Sequence, residues 1–381
     1  GPAVEKWGAL VGTGSRYSSE VLGEFFYDYN NFTKALDFFA AVSSDAPEYP
    51  KALYLTGLVQ VQNNLYKSAV QNFQQAVLST EQLDGTDLEV RDLSYLALAR
   101  IAYEAENFDA AIYYYRKVPR NSTKLSQSFY ESAWTFFVKG DYDRALGTFQ
   151  ALHSPYFDYY FYPELWVLEA TVYVNLCHVD QANEAIAQFD QRVSALAIPL
   201  KRMLSELRTP ADYFQALIGV VQGQANYQLD KRLVQPVLAN VEFYNLYKTV
   251  RQIESEEQLI TSQAQGLGQF ATDLLAKLAA LRQSRMNEAG IKIQQVLKQV
   301  EAEIAEYSVK RTELQVDIDQ IKIDQDMEAL TGAPEATEPV GTKGGSSSIV
   351  GGDSMAWRYE GEYWSDEMSG FRSRLQSKCK R

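Results

Sequence analysis

The thiol and imidazole residues of zinc and redox sites are scarce in this chain. Of 381 residues only two are cysteine, Cys177 and Cys379, and only two are histidine, His153 and His178. That is too few for a disulfide-built scaffold or a zinc site. No run of about 18 apolar residues occurs, so nothing reads as a membrane-spanning helix. Basic residues are in deficit, 36 against 49 acidic, for a net charge of -13. Nucleic acid and anionic membrane surfaces, which need clustered Lys and Arg, are therefore disfavoured as partners. Catalytic motifs are missing as well. Gly12-Thr13-Gly14-Ser15 is too short for a phosphate loop, and neither GxSxG nor HExxH occurs. Asp317, Asp319, Asp324 and Asp326 interleave with Ile318, Ile321 and Ile323, the pattern of a solvated helix face rather than a calcium loop. The chain reads as a non-enzyme, with no catalytic residue, metal or cofactor expected.

What is abundant is repetition. Gly23, Ala35 and Phe39 return 34 residues later as Gly57, Ala69 and Phe73; Ala99, Ala111 and Tyr115 return as Ala133, Ala145 and Phe149. A fifth copy keeps Ala185 and Phe189, with its first half out of register. Apolar residues step by three and four on either side of polar breaks at Asn30-Asn31, Asn63-Asn64, Glu106-Asn107 and Lys139-Gly140-Asp141, so each copy reads as two amphipathic helices joined by a tight turn. One such pair cannot bury its own apolar face, and stacked copies must share a core. The expected fold is an all-α helical solenoid over residues 16–195. A loop of about eight extra residues around Leu83 to Asp87 separates copies two and three.

Gly23, Ala35, Phe39 and Pro47 resemble the tetratricopeptide repeat pattern of a small residue, alanine, an aromatic and a closing proline. The tryptophan common early in that motif is missing. The resemblance implies a protein-binding scaffold whose first helices line a concave groove. Matching the groove positions gives Tyr17, Glu24 and Tyr27 from copy one, and Lys51, Tyr54 and Leu58 from copy two. Copy three supplies Leu96, Arg100 and Tyr103, and copy four Tyr130, Trp134 and Phe137. Aromatics with an arginine suit a peptide-binding hot spot. A packing role for Trp134 and Phe137 is the competing reading. The lysine and asparagine set that clamps a terminal carboxylate in chaperone-binding relatives is not reproduced.

Residues 1–15 form an N-terminal segment in which Gly1-Pro2 reads as a protease scar, which leaves room for a native leader or lipid anchor. Residues 196–240 read as an irregular helical cap. Over 241–330 the period changes to heptads. Phe243, Leu246, Val250, Ile253, Ile260, Leu267, Leu274, Leu278 and Leu281 form one stripe, and Ile293, Leu297, Val300, Ile304, Tyr307, Leu314, Ile318 and Ile321 a second, out of phase by one. The expected arrangement is an antiparallel hairpin turning between Arg285 and Ile291, where Asn287 and Gly290 weaken the helix. Gly266-Leu267-Gly268 is the competing turn, and a continuous helix forming a homodimer the competing arrangement.

Residues 331–354 have the composition of a flexible linker. In the last segment, 355–381, Trp357 precedes a stretch in which Trp364, Met368, Phe371 and Leu375 share one face of a helix capped by Ser365. It reads either as a docking peptide or as a terminal helix packing on its own domain. The neighbours Cys177 and His178 read as helix packing, with a Cys177–Cys379 disulfide as the alternative in an oxidising compartment. The run Trp357 to Cys379 resembles the C-terminal end of periplasmic tetratricopeptide proteins of gliding and predatory bacteria. That likeness implies a periplasmic cell-envelope scaffold of the gliding-motility class, binding protein or peptide partners. A cytoplasmic location, an outer-membrane assembly or chaperone-like factor, and a peptide-sensing regulator are the alternatives.

Overall fold

The computed structural model describes residues 16–157, 160–223, 230–330, 348–349, 355–356 and 368–379. The fold is an all-α solenoid. Its helices run α1 (Arg16–Asp28), α2 (Phe32–Ala40), α3 (Tyr49–Gln62), α4 (Tyr66–Gln82), α5 (Leu88–Glu104), α6 (Phe108–Tyr115), α7 (Leu125–Lys139) and α8 (Tyr142–Leu152). They continue as α9 (Leu165–Asn175), α10 (Val179–Phe189), α11 (Ala195–Glu206), α12 (Pro210–Val221), α13 (Lys231–Leu238), α14 (Val241–Ser262), α15 (Ala264–Leu267) and α16 (Gln269–Leu330). Among the described residues, strand pairing is confined to Ser348–Ile349 against Met355–Ala356. The chain divides into two compact units, residues 1–152 with 363–373, and residues 153–362 with 374–381. The division falls inside the stretch that the sequence reads as one solenoid.

The repeat pattern has a direct packing cause. A methyl group at Gly57 would lie 2.6 Å from the Phe73 ring, and one at Gly23 would overlap the ring of Phe39. The small residue of each first helix is thus the floor on which the aromatic of the second helix lies. Ala35, Ala69, Ala111 and Ala145 are fully buried, where only a methyl fits between the paired helices.

Every break between paired helices is the same backbone device. Asn30, Asn64, Glu106, Gly140 and Cys177 all take positive φ, from 56° to 76°. The N–H of the following residue bonds back to the last turn of the first helix, as in Asn31 to Phe26 and His178 to Tyr173, both 2.8 Å. This left-handed cap satisfies carbonyls that the helix end would leave unpaired. Asn31, Asn107 and Asp141 then cap the second helix through their side chains.

The device corrects the fifth copy. Counting from Cys177, the small residue, alanine and packing residue fall on Ala170, Ala182 and Ile186, all buried. Ala185 and Phe189 are buried too, but they lie one helical turn further on. The spacing from copy four is 37 residues, and an aliphatic replaces the aromatic. The loop expected around Leu83 to Asp87 is present, five non-helical residues between α4 and α5, and the rest of the insertion lengthens α4, which runs to Gln82 and buries Ala76, Val77, Ser79 and Thr80.

In the second unit, a π-helical segment at Asp190–Ser194 joins α10 to α11. α12 opens with a capping box between Thr209 and Asp212 and Pro210 in its first turn. The chain reverses at Gly268, whose φ of +55° and ψ of −135° suit glycine alone, and α16 then runs unbroken through Asn287 and Gly290. The turn is therefore Gly266-Leu267-Gly268, not Arg285 to Ile291. Lys292 pairs with Glu242, 25 residues to either side of Leu267, as an antiparallel hairpin about that point requires. Gly290 is not a breaker; it gives α12 room to approach. The second stripe also has a different partner from the one expected. Ile293, Leu297, Val300, Ile304, Leu314 and Ile318 are buried in one core with Phe189, Leu200, Leu217 and Phe243 of the same chain. Arg311 fixes that register through a two-pronged bond to Asp190, with Nη2 2.6 Å from Oδ2.

Candidate protein-interaction face

Successive first helices α1, α3, α5 and α7 of the first unit carry the residues matched to the groove. Tyr27, Lys51, Tyr54, Leu58, Tyr103, Tyr130, Trp134 and Phe137 are all half-buried, with part of each side chain open to solvent. Leu96 differs: at 1% exposure it belongs to the core. The side chain of Tyr17 lies outside the described residues.

The two cations of this face, Lys51 and Arg100, are both partnered. Lys51 reaches both Glu20, at 2.7 Å, and Glu24. Burial works against its charge, but the two carboxylates outweigh it and hold the ammonium above the ordinary lysine value. Arg100 grips Glu131 with a fork of 2.9 and 2.5 Å, and Glu131 also accepts from the Tyr115 hydroxyl at 3.1 Å. The Glu131 hydrogen bond raises the pKa of Arg100. Burial, followed by the Glu131 charge, raises that of Tyr115. Tyr54 is pushed up to about 12, chiefly by burial and against the pull of Arg100. The Trp134 indole N–H donates to the Tyr130 hydroxyl at 2.8 Å and its ring meets Phe137 edge-on. The face is thus a row of pre-ordered aromatics laced by ion pairs between neighbouring repeats. Ring edges held in fixed rotamers can pack a peptide at low entropic cost, and carboxylates beside the two cations offer polar exchange partners. Sequence reasoning found Glu24 but missed the other two carboxylates of the face, Glu20 and Glu131, although both lie one turn from matched positions.

The tail does not form the expected helix. Trp357 and Trp364 lie outside the described residues, Met368–Gly370 is a single 3-10 turn, and residues 371–379 are not helical. Its backbone groups bond elsewhere. In the first unit Met368 is buried, the Ser373 N–H donates to the Asp143 carbonyl at 2.9 Å, and the Phe371 carbonyl occupies the space a side chain at Gly147 would need. In the second unit the Lys378 N–H donates to the Leu176 carbonyl at 2.9 Å, Leu375 is half-buried, and Cys379 is bonded to Cys177 across a Cα separation of 5.1 Å. Cys177 is therefore no helix-packing residue: it occupies the left-handed turn and carries a disulfide. The buried His178 donates from Nε2 to the Gln376 carbonyl at 2.8 Å, which leaves its Nδ1 lone pair without a partner.

Among the described residues no cluster of three or more metal-ligating side chains occurs, and no helix is long and apolar enough to cross a membrane. No family model matches the sequence, and no curated protein matches it. Among solved structures the chain is similar to a thermophilic TPR protein of Thermus thermophilus, at 21% identity over 47% of this chain and 92% of that one, with a TM-score of 0.30.

Proposed function

We propose that this protein is a non-catalytic scaffold that binds a protein partner along the face of α1, α3, α5 and α7. The observation that carries this reading is the unbroken row Tyr27, Tyr54, Tyr103, Tyr130 and Trp134, half-exposed on successive repeats and held by the Lys51 and Arg100 ion pairs. Truncating Tyr103 and Trp134 together abolishes partner capture while leaving helical content intact. Unfolding of that variant would instead mark both residues as core.

The Cys177–Cys379 bond supports residence in an oxidising compartment, since such bonds do not persist among reducing cytosolic thiols. Together with the likeness of the C-terminal run to periplasmic repeat proteins, it favours a periplasmic cell-envelope assembly of the gliding-motility class over a cytoplasmic adaptor. Thiol counting on protein taken from its native compartment tests this, and two free thiols would refute it.

A further inference from the structure

The hairpin α14–α16 is sealed at its base and unsealed at its tip. At the base Phe243, Val250, Ile253 and Met286 are buried. Toward the turn, Ala271 alone is buried among residues 254–285 whose side chains are described. Leu259, Phe270 and Leu281 are 59%, 64% and 43% exposed, and the stripe residues Ile260, Leu274 and Leu278 are only half-covered. A cleft of about 450 Å³ opens beside Glu254, Glu257, Gln258, Thr261, Ser262 and Arg282. Two helices cannot close a stripe this wide, and the pattern is that of half a four-helix bundle.

Charge identifies the other half. From Gln252 to Ser262 the first arm carries Glu254, Glu256 and Glu257 and no base; from Leu274 to Arg285 the second carries Lys277, Arg282 and Arg285 and no acid. Arg282 pairs with Glu257 within the chain, whereas Glu256 and Lys277 form no ion pair among the described residues. We propose that the tip, residues 254–285, is a self-association surface that packs against the same tip of a second copy. A two-fold axis laying the acidic arm of one copy along the basic arm of the other covers both stripes and pairs the unmatched charges. Arms about 25 Å long and about 20 Å wide together present ~500 Å² per copy, or ~1,000 Å² in all, the size of a weak, reversible interface.

The test is sedimentation equilibrium of the full chain over a concentration series, run beside Phe270→Glu, Glu256→Lys, Lys277→Glu and the double charge reversal. The expected result is a reversible dimer that Phe270→Glu abolishes. Each single reversal weakens it about tenfold, and the double reversal restores it. Because Phe270 is exposed, circular dichroism and melting should be unchanged in that variant. A chain that stays monomeric up to about 100 µM, a dissociation constant too weak for a stable dimer, would overturn the proposal. So would a dimer indifferent to Phe270→Glu and to both reversals, or a monomer whose tip seats a helix of a different protein.

Discussion

Gly290 lies against the carbonyl of Pro210 so closely that a methyl group placed on it would occupy the space of that oxygen. The contact joins α16 to the first turn of α12, just before Ile293 and Leu297 of the core. Gly290→Ala should destabilise the second unit by about 1–3 kcal/mol, the usual cost of overpacking, despite alanine's better helix propensity. Urea titration measures it; a neutral or stabilising result would mean the glycine serves only as a helix residue.

The same pair shows where sequence reading succeeds and where it stops. The first four repeats are legible because Gly23 with Phe39 and Gly57 with Phe73 are contacts between residues of fixed spacing, and the spacing carries the contact. In the fifth copy Ile186 stands where an aromatic is expected, and Phe189, one turn later, is an equally apolar decoy. Gly290 misleads for a similar reason: local propensity treats it as a breaker, while the partner that needs its missing side chain lies 80 residues away. The tail has the spacing of an amphipathic helix, yet Asp143 and Leu176 offer its N–H groups other acceptors, which no local pattern reveals.

The turn at Gly268 should resist substitution more than Gly266. Gly268 holds a backbone conformation that costs other residues on the order of 1–3 kcal/mol, whereas Gly266 has a negative φ and open space around it. Gly268→Ala should therefore lower the melting temperature and Gly266→Ala should not.

Reduction of Cys177–Cys379 closes no contact and removes one long-range tether, spanning 202 residues of chain. Cys379→Ser should cost about 2–4 kcal/mol and speed hydrogen exchange at the Lys378 amide, which donates to Leu176. Unchanged exchange would show that the tail seat holds without the bond.

Alkaline conditions should unfold the protein in a defined window. Burial raises the pKa of Tyr54 and Tyr307 to about 12, and those of Tyr115 and Tyr173 rise as well. An unfolded chain ionises near 10 and the folded one later, so the folded state holds more protons between these values. Stability is full below about pH 10 and falls as pH climbs toward 12. Tyrosinate absorbance followed with circular dichroism should show late ionisation coinciding with unfolding, and Tyr54→Phe should flatten the fall.

The most direct test of the scaffold reading is site-specific photocrosslinking in the cells that make the protein. A photoreactive phenylalanine analogue at Tyr54 or Tyr103 probes the first-helix face, and one at Tyr66 or Tyr113 probes exposed positions on second helices. The account predicts that both first-helix positions capture the same partner and neither second-helix position does. Equal capture from all four, or capture from Tyr66 and Tyr113 alone, would contradict it.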